Sequence, residues 1–296
     1  MAMPKPQDGA SLLAPHYYII MMGCGNMGRA MLLKWLQDGL NPQQISIVKP
    51  SAFAPNDPLS CIDYASDLST LFTKQPNVLE EKQPIIFLGV KPYQFRAIYP
   101  DLKRTIISQD AIYLSVAAGI SLDSMASNLR KTQSEHIKII RTMPNTPSQI
   151  GKGVIGIIAN SFVNEKEKQD ITTLLSSNGA CHWLEHEDEI NMVTALSGSG
   201  PAYIFFMLEA MEKAAIKLGM EEKMAYDMAI QTLLGAGLLA ETSMLSYQEL
   251  RNNIASKGAT TEAALAQLTD ENQGLSQLMD KAMHAAYQRA KELSCS

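Results

Sequence analysis

The first half of the chain is punctuated by short apolar runs at residues 17–22, 45–48, 85–90, 111–117, 137–141 and 154–159, rich in Ile and Val and bounded by Gly, Pro or polar residues. Runs of that length predict strands buried on both faces, and their alternation with helix-length stretches predicts a parallel sheet covered by helices. Residues 27–39 follow the first run with helical periodicity and end on Gly39, a residue suited to closing a helix. Between residues 50 and 83 the pattern is poor: prolines stand at 55, 58 and 76, and only a helix near residues 67–72 can be placed.

From residue 188 onward the strand signals stop. Ala, Leu and Met dominate, and residues 202–218 and 224–240 carry the helical period. Ile230, Leu233, Leu234, Leu238 and Leu239, beside Gly235 and Ala236, spread apolar side chains over more than one helix face. A helical segment of about a hundred residues rarely hides so broad an apolar surface alone, which predicts a homodimer or larger homo-oligomer formed through these helices. A compact bundle packed on the first domain is the alternative. The expected fold is α/β, with a doubly wound parallel-sheet domain over residues 1–187 and an all-α domain over residues 188–296.

Composition narrows the partners. The 296 residues are 46% apolar, enough for a sizeable core in one large or two modest domains. Basic residues number 25 against 30 acidic, a formal net charge of -5, and no Lys/Arg cluster of five or more stands anywhere, so nucleic acid is not an expected partner. No apolar stretch reaches the roughly 18 residues that cross a bilayer, so no membrane is expected. The first sixteen residues, with Pro4, Pro6, Asp8 and Pro15, lack the basic start and apolar core of a secretory signal. They read as a loose extension, and the cytoplasm is the expected location. Cys24, Cys61, Cys181 and Cys295 are scattered without a Cys-x-x-Cys pair and read as reduced thiols.

Candidate chemistry begins directly after the first strand, where Gly23-Cys24-Gly25-Asn26-Met27-Gly28 opens the 27–39 helix. In such a turn the first glycine permits the tight bend, the second leaves room for a pyrophosphate against backbone, and the third lets helix pack on strand, while free N–H groups of the helix face the anion. Placed between strand and helix, it predicts dinucleotide binding by a Rossmann-type domain; an ordinary glycine turn is the alternative. The second strand ends in Val48-Lys49-Pro50-Ser51, a cation and a hydroxyl where an NAD-preferring protein carries a carboxylate for the ribose. That favours NADP(H), with NAD(H) as the alternative.

Further segments stand at later strand ends and helix starts. These are Val90-Lys91-Pro92, Ala117-Ala118-Gly119, Arg141-Thr142-Met143-Pro144-Asn145-Thr146-Pro147 and Ser197-Gly198-Ser199-Gly200-Pro201-Ala202-Tyr203. The fourth of these reads as a helix start, with serine as candidate cap and proline in the first turn. Last comes Ser256-Lys257-Gly258-Ala259-Thr260-Thr261, opening a helix over residues 262–268, where the N–H groups of Gly258 to Thr261 converge on a site fit for a carboxylate. Capping of that helix by Thr260 or Thr261 is the alternative.

With these segments, from Tyr17 onward, the chain resembles the pyrroline-5-carboxylate reductases. The Arg-Thr-Met-Pro-Asn-Thr-Pro and Ser-Gly-Ser-Gly-Pro-Ala-Tyr segments, in that order, are the most specific to the family. The last segment departs from the family's Ser-Pro-Gly-Gly-Thr-Thr at Lys257 and Ala259 and keeps Thr261.

The resemblance implies an NADP-dependent reductase that delivers hydride to the C=N bond of 1-pyrroline-5-carboxylate, giving L-proline in the last step of its biosynthesis. It implies that Gly23, Cys24, Gly25, Asn26, Met27, Gly28, Val90, Lys91, Ala118 and Asn253 contact the cofactor, and the reading of the second strand's end adds Ser51. It further implies that Gly258, Ala259, Thr260 and Thr261 hold the substrate, with the Thr261 hydroxyl on the imine nitrogen. Another NADP-dependent imine or 3-hydroxyacid oxidoreductase is a rival reading, although Ser199, Pro201 and Tyr203 stand where such enzymes carry a catalytic Lys or Asp. A non-catalytic NADP-sensing protein is another. No metal is expected: His182 and His186, beside Trp183 in a strand-like stretch, do not share a helix face.

Overall fold

The apolar runs form the strands of one sheet. The computed structural model describes residues 11–75, 81–104, 110–132 and 134–294. Residue 17 begins β1 (Tyr17–Met22), every residue of which is buried, and α1 (Asn26–Gln37) follows the glycine turn. Then come β2 (Ile45–Val48), β3 (Asp63–Ala65), α2 (Leu68–Lys74), β4 (Gln83–Leu88), α3 (Phe95–Arg104), β5 (Ile112–Ser115) and α4 (Leu122–Leu129). The first domain is completed by β6 (Lys138–Met143), β7 (Gly153–Ala159), α5 (Glu165–Ser176), β8 (Gly179–Trp183) and α6 (Glu189–Val193).

Strand order is β3-β2-β1-β4-β5-β6-β7-β8. The alternation of side chains along β1 feeds a core on each face. Ile19 and Met21 pack with Met31, Leu32 and Trp35 of α1 and with Ile171, Leu174 and Leu175 of α5. Tyr18, Ile20 and Met22 pack with Leu68, Leu71, Phe95, Met125 and Leu129 on the other side. Helices on both faces of a parallel sheet make a doubly wound α/β domain.

The sheet departs from a wholly parallel one at a single pairing, β6 with β7, which is antiparallel. The connection explains it. Residues 144–152 hold a 3₁₀ turn over Thr146–Ile150 and Gly151 at φ 70, and this link is too short for the crossover helix that a parallel partner requires.

The reading of the first sixteen residues as a loose extension fails for the described part. Leu12 and Leu13 are each 1% exposed and belong to the core, and the amide of Tyr17 donates to the carbonyl of Ala14. Apolar burial ties residues 11–16 down although they form neither helix nor strand. Residues 1–10 and Cys295 lie outside the described residues.

The remaining helices are α7 (Gly200–Lys217), α8 (Glu222–Thr242), α9 (Tyr247–Ile254), α10 (Thr260–Leu268) and α11 (Leu275–Ser294). Compactness divides the chain into residues 1–198 with 287–296, and Ser199–Ala286. The division thus falls later than the 187/188 boundary read from periodicity, and the last turns of α11 belong to the first unit. The second unit buries little: Ala225 and Ala229 are the buried residues of α8, while Phe205, Phe206, Leu234 and Leu238 are more than half exposed. No helix among the described residues is long and apolar enough to cross a membrane.

Candidate active site

The carboxyl ends of β2, β1 and β4 meet at the point where the strand order turns back on itself, the place where ligands bind in open α/β sheets. The amide of Gly23 donates to the Val48 carbonyl at 2.8 Å, and that of Gly89 to the Met22 carbonyl at 3.0 Å. Gly23 takes φ 77, and a Cβ there would lie 2.6 Å from Val90 Cγ1, so both backbone and neighbour require glycine. A Cβ on Gly28 would lie 3.3 Å from Phe87 Cε1, which brings α1 close against β4. Gly25 has φ -73 and occupies the N-cap of α1 without a side-chain cap, and the first turn of α1 carries no acidic residue. The first amides of α1 are therefore left to a ligand, and an anion is the group they favour.

These elements enclose a cleft of about 750 Å³. Its lining brings together all six residues from Gly23 to Gly28 with Ser51, Val90, Lys91 and Ala118. Lys49 also lines it, with its ammonium 4.0 Å from the centroid of the Phe53 ring. The segment after β2 is held to α1 by a two-oxygen ion pair, Arg29 Nη1 to Asp57 Oδ1 and Oδ2 at 2.9 and 3.0 Å. Burial pushes the Cys24 thiol up to about 11, an unreactive thiol at neutral pH.

The sequence reading missed several lining groups. Ser66 and Asp67 reach the cleft from the end of β3, Gln94 from the 3₁₀ turn before α3 and Asp101 from the second turn of that helix. Asp67 caps α2, and its carboxylate is held below the usual range first by the Thr70 amide, which donates at 2.8 Å, and then by the Ser66 hydroxyl. Gln94 Oε1 accepts from the Lys91 amide at 2.9 Å and fixes the turn after β4.

The two most family-specific segments meet within the first unit. Asn145 Nδ2 donates to the Ser197 carbonyl at 2.9 Å, while Asn145 Oδ1 accepts from the Val154 amide. Residues Thr194–Gly198 form a π-helical turn, and a Cβ on Gly198 would lie 2.8 Å from Met143 Cε. Ser199 occupies the N-cap of α7 but makes no side-chain cap bond, so the cap reading of that serine is corrected: the chain enters α7 from the preceding π turn.

The second unit carries Asn253, exposed in the last turn of α9, and the turn at residues 256–261. Here Ala259, not a threonine, is the N-cap of α10, with no side-chain cap bond; Thr260 and Thr261 stand in the first helical turn. The alternative of a threonine cap is thereby excluded. Gly258 takes φ 77, whereas Ala259 lies at φ -90, a conformation open to any residue, so the departure from glycine at 259 costs no backbone strain. The Gly258 amide donates to Glu262 Oε2 at 2.6 Å, so the turn already serves one carboxylate. No group of three His, Cys, Asp or Glu among the described residues could hold a metal ion, and His182 lies in β8 while His186 lies beyond it.

The chain is similar over most of its length to known proteins. A family model described as pyrroline-5-carboxylate reductase dimerisation matches residues 187–293, and one described as NADP oxidoreductase, coenzyme F420-dependent, matches residues 18–119. The chain is 35% identical to the pyrroline-5-carboxylate reductase of Haemophilus influenzae over 94% of its own length and 98% of the relative's. A solved pyrroline-5-carboxylate reductase from Coxiella burnetii superposes with a TM-score of 0.81 at 32% identity, covering 94% of this chain and 99% of that one. The pyrroline carboxylate reductase of Plasmodium falciparum, solved with NADP bound, superposes with a TM-score of 0.77 over 94% of this chain and 98% of that one, and at 24% identity speaks to the fold alone. On a match of 35% identity over 94% of its length, the chain belongs to the pyrroline-5-carboxylate reductase family.

Proposed function

We propose that the chain reduces 1-pyrroline-5-carboxylate to L-proline with NADPH as the hydride donor. The observation that carries this reading is the near-complete match to relatives of that name, joined to a glycine turn that opens a cleft at the sheet's carboxyl edge. The cleft fits a dinucleotide, because Gly23 and Gly25 leave the turn without side chains and α1 offers uncapped amides to a pyrophosphate. Residues 1–187 act as the NADP-binding domain and residues 188–296 as the domain for substrate and dimerisation. Gly23, Cys24, Gly25, Asn26, Met27 and Gly28 hold the pyrophosphate and its sugars, and Val90, Lys91 and Ala118 face the rest of the cofactor. Asn253 reaches the nicotinamide ribose.

Lys49 and Ser51 take the 2′-phosphate. Replacing Lys49 with Ala removes a charge-assisted hydrogen bond and raises KM for NADPH about tenfold while leaving that for NADH unchanged. Steady-state kinetics with both cofactors checks this, and an equal effect on the two would remove Lys49 from the 2′-phosphate.

When bound, NADPH supplies the hydride. The chain's own residues hold and orient the imine. The substrate carboxylate lies on the turn of Gly258, Ala259, Thr260 and Thr261, where the amides of Thr260 and Thr261 serve it, those of Gly258 and Ala259 being engaged by Glu262 and Ser256, and where the dipole of α10 favours an anion. The Thr261 hydroxyl accepts a hydrogen bond from the protonated imine nitrogen, which stabilises the form that accepts hydride at carbon. The proton stays on nitrogen and the product is the secondary amine, so no further acid or base is needed.

The exposed apolar side chains of α7 and α8 form the contact of a homodimer. Purified protein given 1-pyrroline-5-carboxylate is expected to oxidise NADPH at a rate set by the imine concentration. A protein that binds NADPH but leaves it unoxidised would overturn the assignment of substrate.

A further inference from the structure

The loop that carries Ala118 into the cleft runs from the end of β5 to the start of α4 and is fastened by groups that do not line the cleft. At its beginning the amide of Ala117 donates to Ser115 Oγ at 3.2 Å, and Thr142 Oγ1 donates to the Ser115 carbonyl at 2.9 Å. In its middle Gly119 takes φ 78, and a Cβ there would lie 2.7 Å from the Leu293 carbonyl oxygen, so the last turn of α11 packs directly on the loop backbone. At its end the Leu122 amide donates to Glu187 Oε1 at 2.8 Å, and the same oxygen accepts from Arg141 Nη1 at 2.7 Å.

Glu187 thus joins the exit of a cofactor-facing loop to a strand residue of the Arg-Thr-Met-Pro-Asn segment. The Arg141 side chain is 4% exposed, and its Nε has no hydrogen-bond partner, so its charge relies on Glu187. The helix itself does not need Glu187 as a cap, because Ser121 Oγ already accepts from the Ser124 amide at 3.1 Å. What the bond from Leu122 to Glu187 adds is a fixed position for the loop's end.

We propose that Glu187 is a positioning residue for the cofactor cleft: by holding the Leu122 amide against Arg141 it sets the path of residues 116–121 and the place at which Ala118 meets the dinucleotide. Glu187 touches neither cofactor nor substrate and acts through this loop. The inference rests on the reading of the cleft as the NADPH site.

Two variants of the full chain separate this role from structural support. Glu187→Asp keeps the negative charge but shortens the side chain, so the one oxygen that accepts from both Arg141 and the Leu122 amide is drawn back from the loop's end. Glu187→Gln keeps the length and an oxygen that can accept from both donors. NADPH titration by fluorescence, with steady-state kinetics, is expected to show Glu187→Asp weakening NADPH binding and raising its KM about tenfold, the size of effect of one lost hydrogen bond, with kcat and the KM for the imine unchanged. Glu187→Gln, which keeps the acceptor for the Leu122 amide but gives up the charge facing Arg141, is expected to melt at a lower temperature and yet to bind NADPH close to the original chain. A Glu187→Asp protein that binds NADPH as the original does, or one that changes only in melting temperature, overturns the inference while leaving the cofactor reading intact. Failure of the unaltered chain to bind NADPH overturns that reading itself.

Discussion

Replacing Thr261 with Ala is expected to lower kcat/KM for 1-pyrroline-5-carboxylate by about a hundredfold, the range of a lost catalytic hydrogen bond, with NADPH affinity and melting temperature unchanged. The selectivity follows from where the residue stands. Thr261 lies in the first turn of α10, is half-buried and does not cap the helix; the cap position belongs to Ala259, whose side chain makes no bond. Removing the hydroxyl therefore leaves the helix intact, and Ala is the better helix former. Thr261→Ser keeps the hydroxyl and is expected to recover most of the activity. Steady-state kinetics on both variants checks the assignment; near-normal kinetics for the alanine variant would remove Thr261 from the chemistry.

The second large effect is expected at the glycine turn. Gly25→Val should weaken NADPH binding by at least about a hundredfold, equivalent to some 2.7 kcal/mol, without unfolding the domain. Gly25 has φ -73 and ψ -179, a conformation valine adopts readily, and a Cβ there would lie 3.6 Å from the Gly89 carbonyl oxygen, an ordinary contact. The cost therefore falls on the ligand, whose pyrophosphate needs the space over the turn. Gly23 makes a poorer test, because its φ of 77 and the 2.6 Å approach of Val90 Cγ1 would damage the fold as well. Thermal melting beside NADPH titration separates the two effects, and a stable valine variant with normal affinity would place the pyrophosphate elsewhere.

What the sequence revealed depended on how local each signal is. Strands buried on both faces write continuous apolar runs, and β1 and β2 were legible to the residue. The three residues of β3, with Asp63 among them, lie at the sheet edge between proline-rich stretches and carry no such run. The β8 sequence Gly-Ala-Cys-His-Trp is only half-buried, and its strand character surfaced only as a strand-like stretch around Trp183. Helix α5 had a readable start in the capping box of Asn164 and Glu167. The brevity of residues 144–152 carries the signal for the antiparallel turn into β7, but like that capping box it went unread, and a parallel sheet was expected throughout. Leu12 and Leu13 were not readable, because two leucines after a proline-rich stretch state nothing about what covers them.

The same contrast runs through the site. Gly23 to Gly28 is one contiguous turn and is recognised in isolation, whereas Asp67 and Asp101 reach the cleft only because the sheet order sets β3 next to β2 and β4, which leads into α3, next to β1. Glu187 is hardest to see from the sequence, since its partners Arg141 and Leu122 are distant along the chain.

The most direct test of the central claim is to supply NADPH deuterated at the transferable C4 position together with 1-pyrroline-5-carboxylate, and to examine the product by mass spectrometry and NMR. The account predicts L-proline bearing one deuterium at the former imine carbon, formed in equal amount with NADP⁺. Proline without deuterium, or no proline from protein that binds NADPH, would contradict it.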